Sequence, residues 1–298
     1  MCGQVYFENG ATIKNQHLLA HDQAFVDLVV PHMTWNSVAM PITGVVAGDM
    51  FIPHTMTGDY VGESTESAKP FSVKGFEGKR LSTAPYAFWQ SFYNKTVETL
   101  CENPDKNTSA IATSTAAFAP TNSLEEALPV GGGHQLLGFG PDDYTDKTLT
   151  IRLPKPEDEY AYYYPNGDEG AKVQVERGEN PRKLAFAPDA DGNMTITLKN
   201  EAASTDANGN LFMFGNPAMA YVDMNKFLAD NTNVVDGAYY QMTNDSWEAS
   251  TTWASANGGY LAPMRSVLLE LASGTATSIT VKLSKSHFVG YTEPAPAS

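Results

Sequence analysis

The sequence predicts an all-β fold, an antiparallel β-sandwich or jelly roll with a few short helices. Three observations point there. Apolar and polar residues alternate with period two over 148–153 and 194–198, so each segment has one apolar face. Turn signals such as Asn9-Gly10, Pro165-Asn166-Gly167-Asp168 and Asp191-Gly192 separate short β-prone runs. Charged residues make up only 18% of the 298 residues, whereas Thr, Ser, Asn, Gly and Tyr are plentiful. That mix suits strands and turns better than long charged helices.

The elements follow in chain order. Val5-Tyr6-Phe7 reads as a strand before the Asn9-Gly10 turn, and Ala24–Val30 as a buried strand stopped by Pro31. A strand from Thr34 closes at Pro41; on it Trp35 shares a face with the small residues Ser37 and Ala39, which leave room for a large ring in the core. Residues 48–83 read as a long loop, and Tyr86–Tyr93 as an aromatic, β-prone segment. Ser123 is a possible helix cap, so 123–128 is expected to form a helical turn. Gly131-Gly132-Gly133 leads into a strand at 134–139. The runs 160–164 and 171–175 flank a hairpin turn.

Leu211–Phe214 runs into Gly215-Asn216-Pro217, which is expected to be a structural corner. Pro217 fixes φ and cannot donate to a ladder, Asn216 is pushed to an extended conformation, and Gly215 allows positive φ or close backbone approach. A short helix is expected over 223–229. Strands at 260–271, interrupted by Pro263, and 278–283 complete the chain. Residues 1–30 are expected to be edge strands of a preceding β-rich region. Residues 31–288 form the sandwich region, with a division into two sub-domains near 130–150 as a variant. Residues 289–298 read as a linker of Pro and small residues, with further chain expected beyond it.

Composition narrows the function classes. A net charge of −15 argues against nucleic acid and against electrostatic docking on anionic lipid. No apolar run is long enough for a helical membrane span. Cys2 and Cys101 lack zinc-site spacing, and sequence leaves open whether they pair.

No catalytic residue, metal or cofactor is expected. His17 and His21 have a helical metal spacing, but the segment reads as strand and loop, and Leu18 stands where a zincin needs Glu. Asp189-Ala190-Asp191-Gly192-Asn193 begins like an EF-hand loop. It then places Met194 where Gly is needed and Asn200 where a bidentate Glu is needed, so a hairpin turn is favoured over calcium. Asp206–Asn210 reads the same way. The acids Glu125-Glu126, Asp142-Asp143 and Glu157-Asp158-Glu159 lie in turn-rich segments and are expected to be solvated. Tyr160, Tyr162 and Tyr164 share one face of a strand, and Trp247 and Trp253 lie in a polar segment. Such aromatics either stack on sugar rings or pack a core, and they are the candidate ligand contacts. Trp35, Gly215, Asn216, Pro217 and Pro263 are expected to be structural.

The order of several landmarks resembles a recurring C-terminal region of large surface and secreted proteins of Bacteroidota bacteria. A Trp strand ends in Pro41-Ile42, and Gly48-Asp49-Met50-Phe51 follows. Then come the aromatic segment 86–93, the Gly-rich strand 131–139 and Arg152-Leu153-Pro154. Gly215-Asn216-Pro217 with its helix and Ala262-Pro263-Met264 close the series. The chain carries Ala218 and His134 where similar sequences usually carry aromatic residues. The resemblance implies a non-catalytic extracellular module of a larger cell-surface protein, structural or adhesive, with a glycan or a host surface protein as partner. A carbohydrate-binding module of a polysaccharide-degrading system and a glycoside hydrolase are the rival expectations.

Overall fold

A computed structural model describes residues 2–31, 35–46, 49, 88–93, 118–120, 127–138, 148–154, 160–163, 171–174, 176–199, 211–243, 246–249, 258–274 and 276–291. Within them the chain is mostly strand. The first half contributes β1 (Cys2–Phe7), β2 (His21–Pro31), β3 (Trp35–Ala39), β4 (Phe88–Tyr93), β5 (Phe118–Pro120), β6 (Gly133–Gly138) and β7 (Thr148–Leu153). β8 (Tyr160–Tyr163), β9 (Ala171–Gln174), β10 (Asn193–Lys199), β11 (Leu211–Gly215) and β12 (Val222–Asp223) follow. After the helix α1 (Met224–Asp230) come β13 (Val235–Thr243), β14 (Ser246–Ala249), β15 (Tyr260–Leu261), β16 (Ser266–Leu271) and β17 (Ser278–Ser284).

The ladders are antiparallel except for β1 and β2, which run parallel. One four-stranded sheet has the order β3-β6-β4-β5 and another β11-β16-β13-β14. A three-stranded sheet β1-β2-β7 and the pairs β8-β9, β10-β17 and β12-β15 complete the set. β2 runs through residue 30 and pairs with β7, Val26 opposite Leu153 and Pro31 opposite Thr148.

Periodicity explains β10 and β17. Ile196 and Leu198 on one, and Ile279, Val281 and Leu283 on the other, are buried. Thr195, Thr197, Thr280 and Lys282 between them are exposed. Alternation sends one set to the core and the other to water. β2 departs from this pattern: Ala24, Phe25, Val26, Asp27 and Leu28 are all buried, so both of its faces are covered.

The main core gathers Phe186, Phe212, Phe214, Phe227, Leu269 and Val281. Phe214 and Phe227 stack with centroids 4.5 Å apart, and Phe186 meets Phe288 edge-on at 4.7 Å. α1 enters this core through Met224, Phe227 and Leu228, the i, i+3 and i+4 positions of one face. The Asp223 carboxylate caps it by accepting the Asn225 and Lys226 amides. The helix therefore starts one residue after the expected position, because Asp223 is its cap. At its other end Asn231 donates to Phe227 O at 2.7 Å and Lys282 O at 3.0 Å, and accepts from Lys282 N at 2.8 Å. That carboxamide fastens the helix end to β17.

The expected helical turn over 123–128 is corrected where it is described. Ala127 forms an antiparallel bridge with Val46, and Leu128 N donates to Val45 O at 2.9 Å. So short a helix has little stability of its own, and an extended partner backbone is at hand. Residues 123–126 lie outside the described residues, as do the loop within 51–83, the 206–210 turn and the tail 292–298.

Candidate functional site

The end of β11 is where the two four-stranded sheets meet. Gly132 bridges Phe214, and Gly215 N donates to Gly131 O at 2.8 Å. Val38 of β3 bridges Arg265, and Ala39 N donates to Met264 O at 3.1 Å. Gly215 is required by this approach rather than by its φ. A Cβ there would overlap the Gly132 carbonyl and come within 2.6 Å of the Ala39 Cβ.

Asn216 comes next and is completely buried. Its Nδ2 donates to Ala220 O at 2.8 Å, Ala262 O at 3.0 Å and Leu261 O at 3.2 Å. Its Oδ1 accepts from Ala218 N at 3.0 Å, and its own amide donates to Arg265 O at 3.0 Å. One side chain thus serves four backbone groups, of which only that of Leu261 belongs to a strand residue. Pro217 is buried where strand pairing has stopped, and Pro263 sits partly buried after the two carbonyls that Asn216 holds. The N-terminal segment joins the same corner: Gln16 Oε1 accepts from Met219 N at 2.6 Å, and Ile13 N donates to Met219 O at 2.7 Å.

A cavity of about 170 Å³ opens beside this corner. Its walls are the Glu8–Thr12 turn, residues 27–29 of β2, Met219, Tyr221 and the run Ala262–Arg265. Tyr221 is 44% exposed. Asp27 accepts a hydrogen bond from the Tyr6 hydroxyl and lies 3.6 Å from Arg152 Nε. Arg152 stacks over the Tyr6 ring at 3.9 Å. Burial of the phenol, then its bond to Asp27, hold the Tyr6 pKa above its ordinary value.

Other polar groups also hold the fold. Asp49, wholly buried, receives Arg177 Nη1 on Oδ2 at 2.7 Å and Nη2 on Oδ1 at 2.9 Å. It also accepts from Val46 N at 3.0 Å. His21 accepts from Leu184 N on Nε2 at 3.2 Å and donates from Nδ1 to Leu19 O at 2.9 Å, which fixes its tautomer. Both its ring nitrogens are therefore engaged by backbone. His17 lies in a 3-10 turn, its ring 6.4 Å from those of Phe186 and Tyr291. Asp189 Oδ1 accepts from Asp191 N and Asn193 N, each at 2.9 Å, and Gly192 has φ +79. That geometry is a carboxylate-closed turn.

The remaining sequence candidates are placed only in part. Tyr160 and Tyr162 lie on β8 opposite Gln174 and Lys172, Trp247 on β14 opposite Met242, and Trp35 on β3 opposite Leu137. Their side chains, with Tyr164, Trp253 and the acids at 125–126, 142–143 and 157–159, lie outside the described residues. The structure brings Gly215, Asn216 and Pro263 to one corner. Sequence reading missed Asp49–Arg177, Asn231 and Arg265. Two of these carried a signal: Asp49 within Gly48-Asp49-Met50-Phe51, and Arg265 as a cation heading an apolar strand.

His134 sits fully buried on β6, and burial pushes its pKa down to about 3. The unfolded chain would protonate it near 6.5, so between those values the unfolded state binds more protons and stability falls as pH drops. His134→Gln should flatten the pH dependence of the urea midpoint between pH 7 and pH 4. An unchanged slope would remove His134 as a cause of acid sensitivity.

No family model, curated protein or solved structure matches the chain.

Proposed function

We propose that the chain is a non-catalytic β-sandwich module of a large cell-surface protein of a Bacteroidota bacterium, structural or adhesive in role. The observation that carries this reading is the Asn216 carboxamide, whose oxygen and nitrogen serve four backbone groups inside the fold. Other landmarks of the resemblance have the same character. Asp49 neutralises Arg177 and caps a loop amide, and Arg152 is committed to Asp27 and the Tyr6 ring. Residues committed in this way hold a shape and are not free to move protons or attack a substrate.

A second reading, a carbohydrate-binding module, is favoured by the exposed ring of Tyr221 on the wall of the cavity. Location and binding are tested separately. Antibody against the chain should label intact cells of the source organism, and mild protease treatment should remove the label. Labelling only after lysis would refute the surface assignment.

A further inference from the structure

Arg265 differs from Arg152 and Arg177 in its partners. A guanidinium carries five N–H donors. Among the described residues, the only hydrogen bond of this one runs from Nη1 to Asn36 Oδ1, at 3.2 Å. Burial holds its pKa below the ordinary arginine value, and no carboxylate pairs with it among the described residues. Arg177 and Arg152, by contrast, each face an aspartate. A desolvated cation with one neutral acceptor is under-compensated, and a planar carboxylate is the partner that its fork fits best.

Arg265 lines the cavity together with the exposed Tyr221 and the polar turn residues Asn9 and Thr12. The cavity's 170 Å³ is below the usual range for drug-sized ligands, so it admits one small ring. An exposed tyrosine offers a flat face for the C–H side of a sugar, and Asn9 and Thr12 offer groups that hydrogen-bond hydroxyls. Two carboxylates of the wall oppose an anion: solvent screens the exposed Glu8, and Asp27 is offset by Arg152 and the Tyr6 hydroxyl.

We propose that this cavity binds a single hexuronate ring, with the carboxylate taken by Arg265 and the ring face laid against Tyr221. The site is independent of where the protein resides, because binding is read on the purified chain. Titration calorimetry with sodium glucuronate, sodium galacturonate, glucose and sodium acetate separates the contributions of charge and ring. A uronate should bind at least roughly tenfold more tightly than glucose or acetate. Arg265→Gln should lose roughly tenfold or more of that affinity, and Tyr221→Ala several-fold with an unchanged melting temperature. Glu8→Gln should tighten binding. Glucose or acetate binding as well as the uronates would overturn the proposal, as would undiminished affinity in a folded Arg265→Gln. Should Arg265→Gln fail to fold, full uronate affinity in Tyr221→Ala would overturn it as well.

Discussion

Asp49→Ala is expected to lower the stability of the chain by about 3–5 kcal/mol, because it strands a buried guanidinium. The Asp49 side chain is fully enclosed and that of Arg177 is 4% exposed. Their two parallel bonds satisfy both carboxylate oxygens, Val46 N adds a third, and Arg177 Nη1 also donates to Gly44 O at 2.9 Å. With the carboxylate gone, the cation keeps the Gly44 carbonyl but loses the charge that offsets it. Arg177→Ala should cost a similar amount by stranding the carboxylate. The double variant should cost much less than the sum, since neither charge is then left alone. Arg177→Lys keeps the charge but cannot supply the fork, so it should recover only part of the loss. Urea unfolding monitored by circular dichroism measures all four. A loss below about 1 kcal/mol for Asp49→Ala would mean that the pair is a solvated contact.

Asn216→Ala should cost roughly 3 kcal/mol or more. It leaves the carbonyls of Ala220, Leu261 and Ala262 and the amide of Ala218 without the partner they have now. Each stranded buried group costs about 1–3 kcal/mol, less than additively when they share one cavity. Asn216→Asp is the sharper test. A carboxylate is nearly isosteric but donates nothing, so it would set a negative charge against three carbonyl oxygens. It should destabilise at least as much as Ala. A variant as stable as the parent would show that the carboxamide is not what holds the corner.

Local features were legible in the sequence, and long-range partners were not. The alternation at 194–198 placed Ile196 and Leu198 inward, and the hairpin signal anticipated the pairing of β8 with β9. Gly215-Asn216-Pro217 announced the end of a strand because its backbone rules are local. What Asn216 holds could not be read, since Leu261 and Ala262 lie 45 and 46 residues away. Asp49 and Arg177 are 128 residues apart, and Gln16 and Met219 are 203 apart. Nothing in the spacing of such residues records that the fold brings them together. The helical turn expected at 123–128 fails for the same reason: propensity described Ala127 and Leu128, but the backbone of Val45 and Val46 decided their conformation. His17 and His21 show the converse. Their spacing shares a face only on an α-helix, and here His17 lies in a 3-10 turn and His21 opens β2.

The structural role of the corner is tested most directly by amide hydrogen exchange at Ala218 and Met219. Both lie outside every strand, and each amide donates to a side chain, Asn216 Oδ1 and Gln16 Oε1 respectively. If these bonds are part of the global fold, both amides should exchange only through global unfolding, as slowly as those in the middle of β16. Asn216→Ala should then release Ala218 selectively. Exchange of Ala218 and Met219 in the parent chain at the rate of the exposed Asn9-Gly10 turn would contradict the corner.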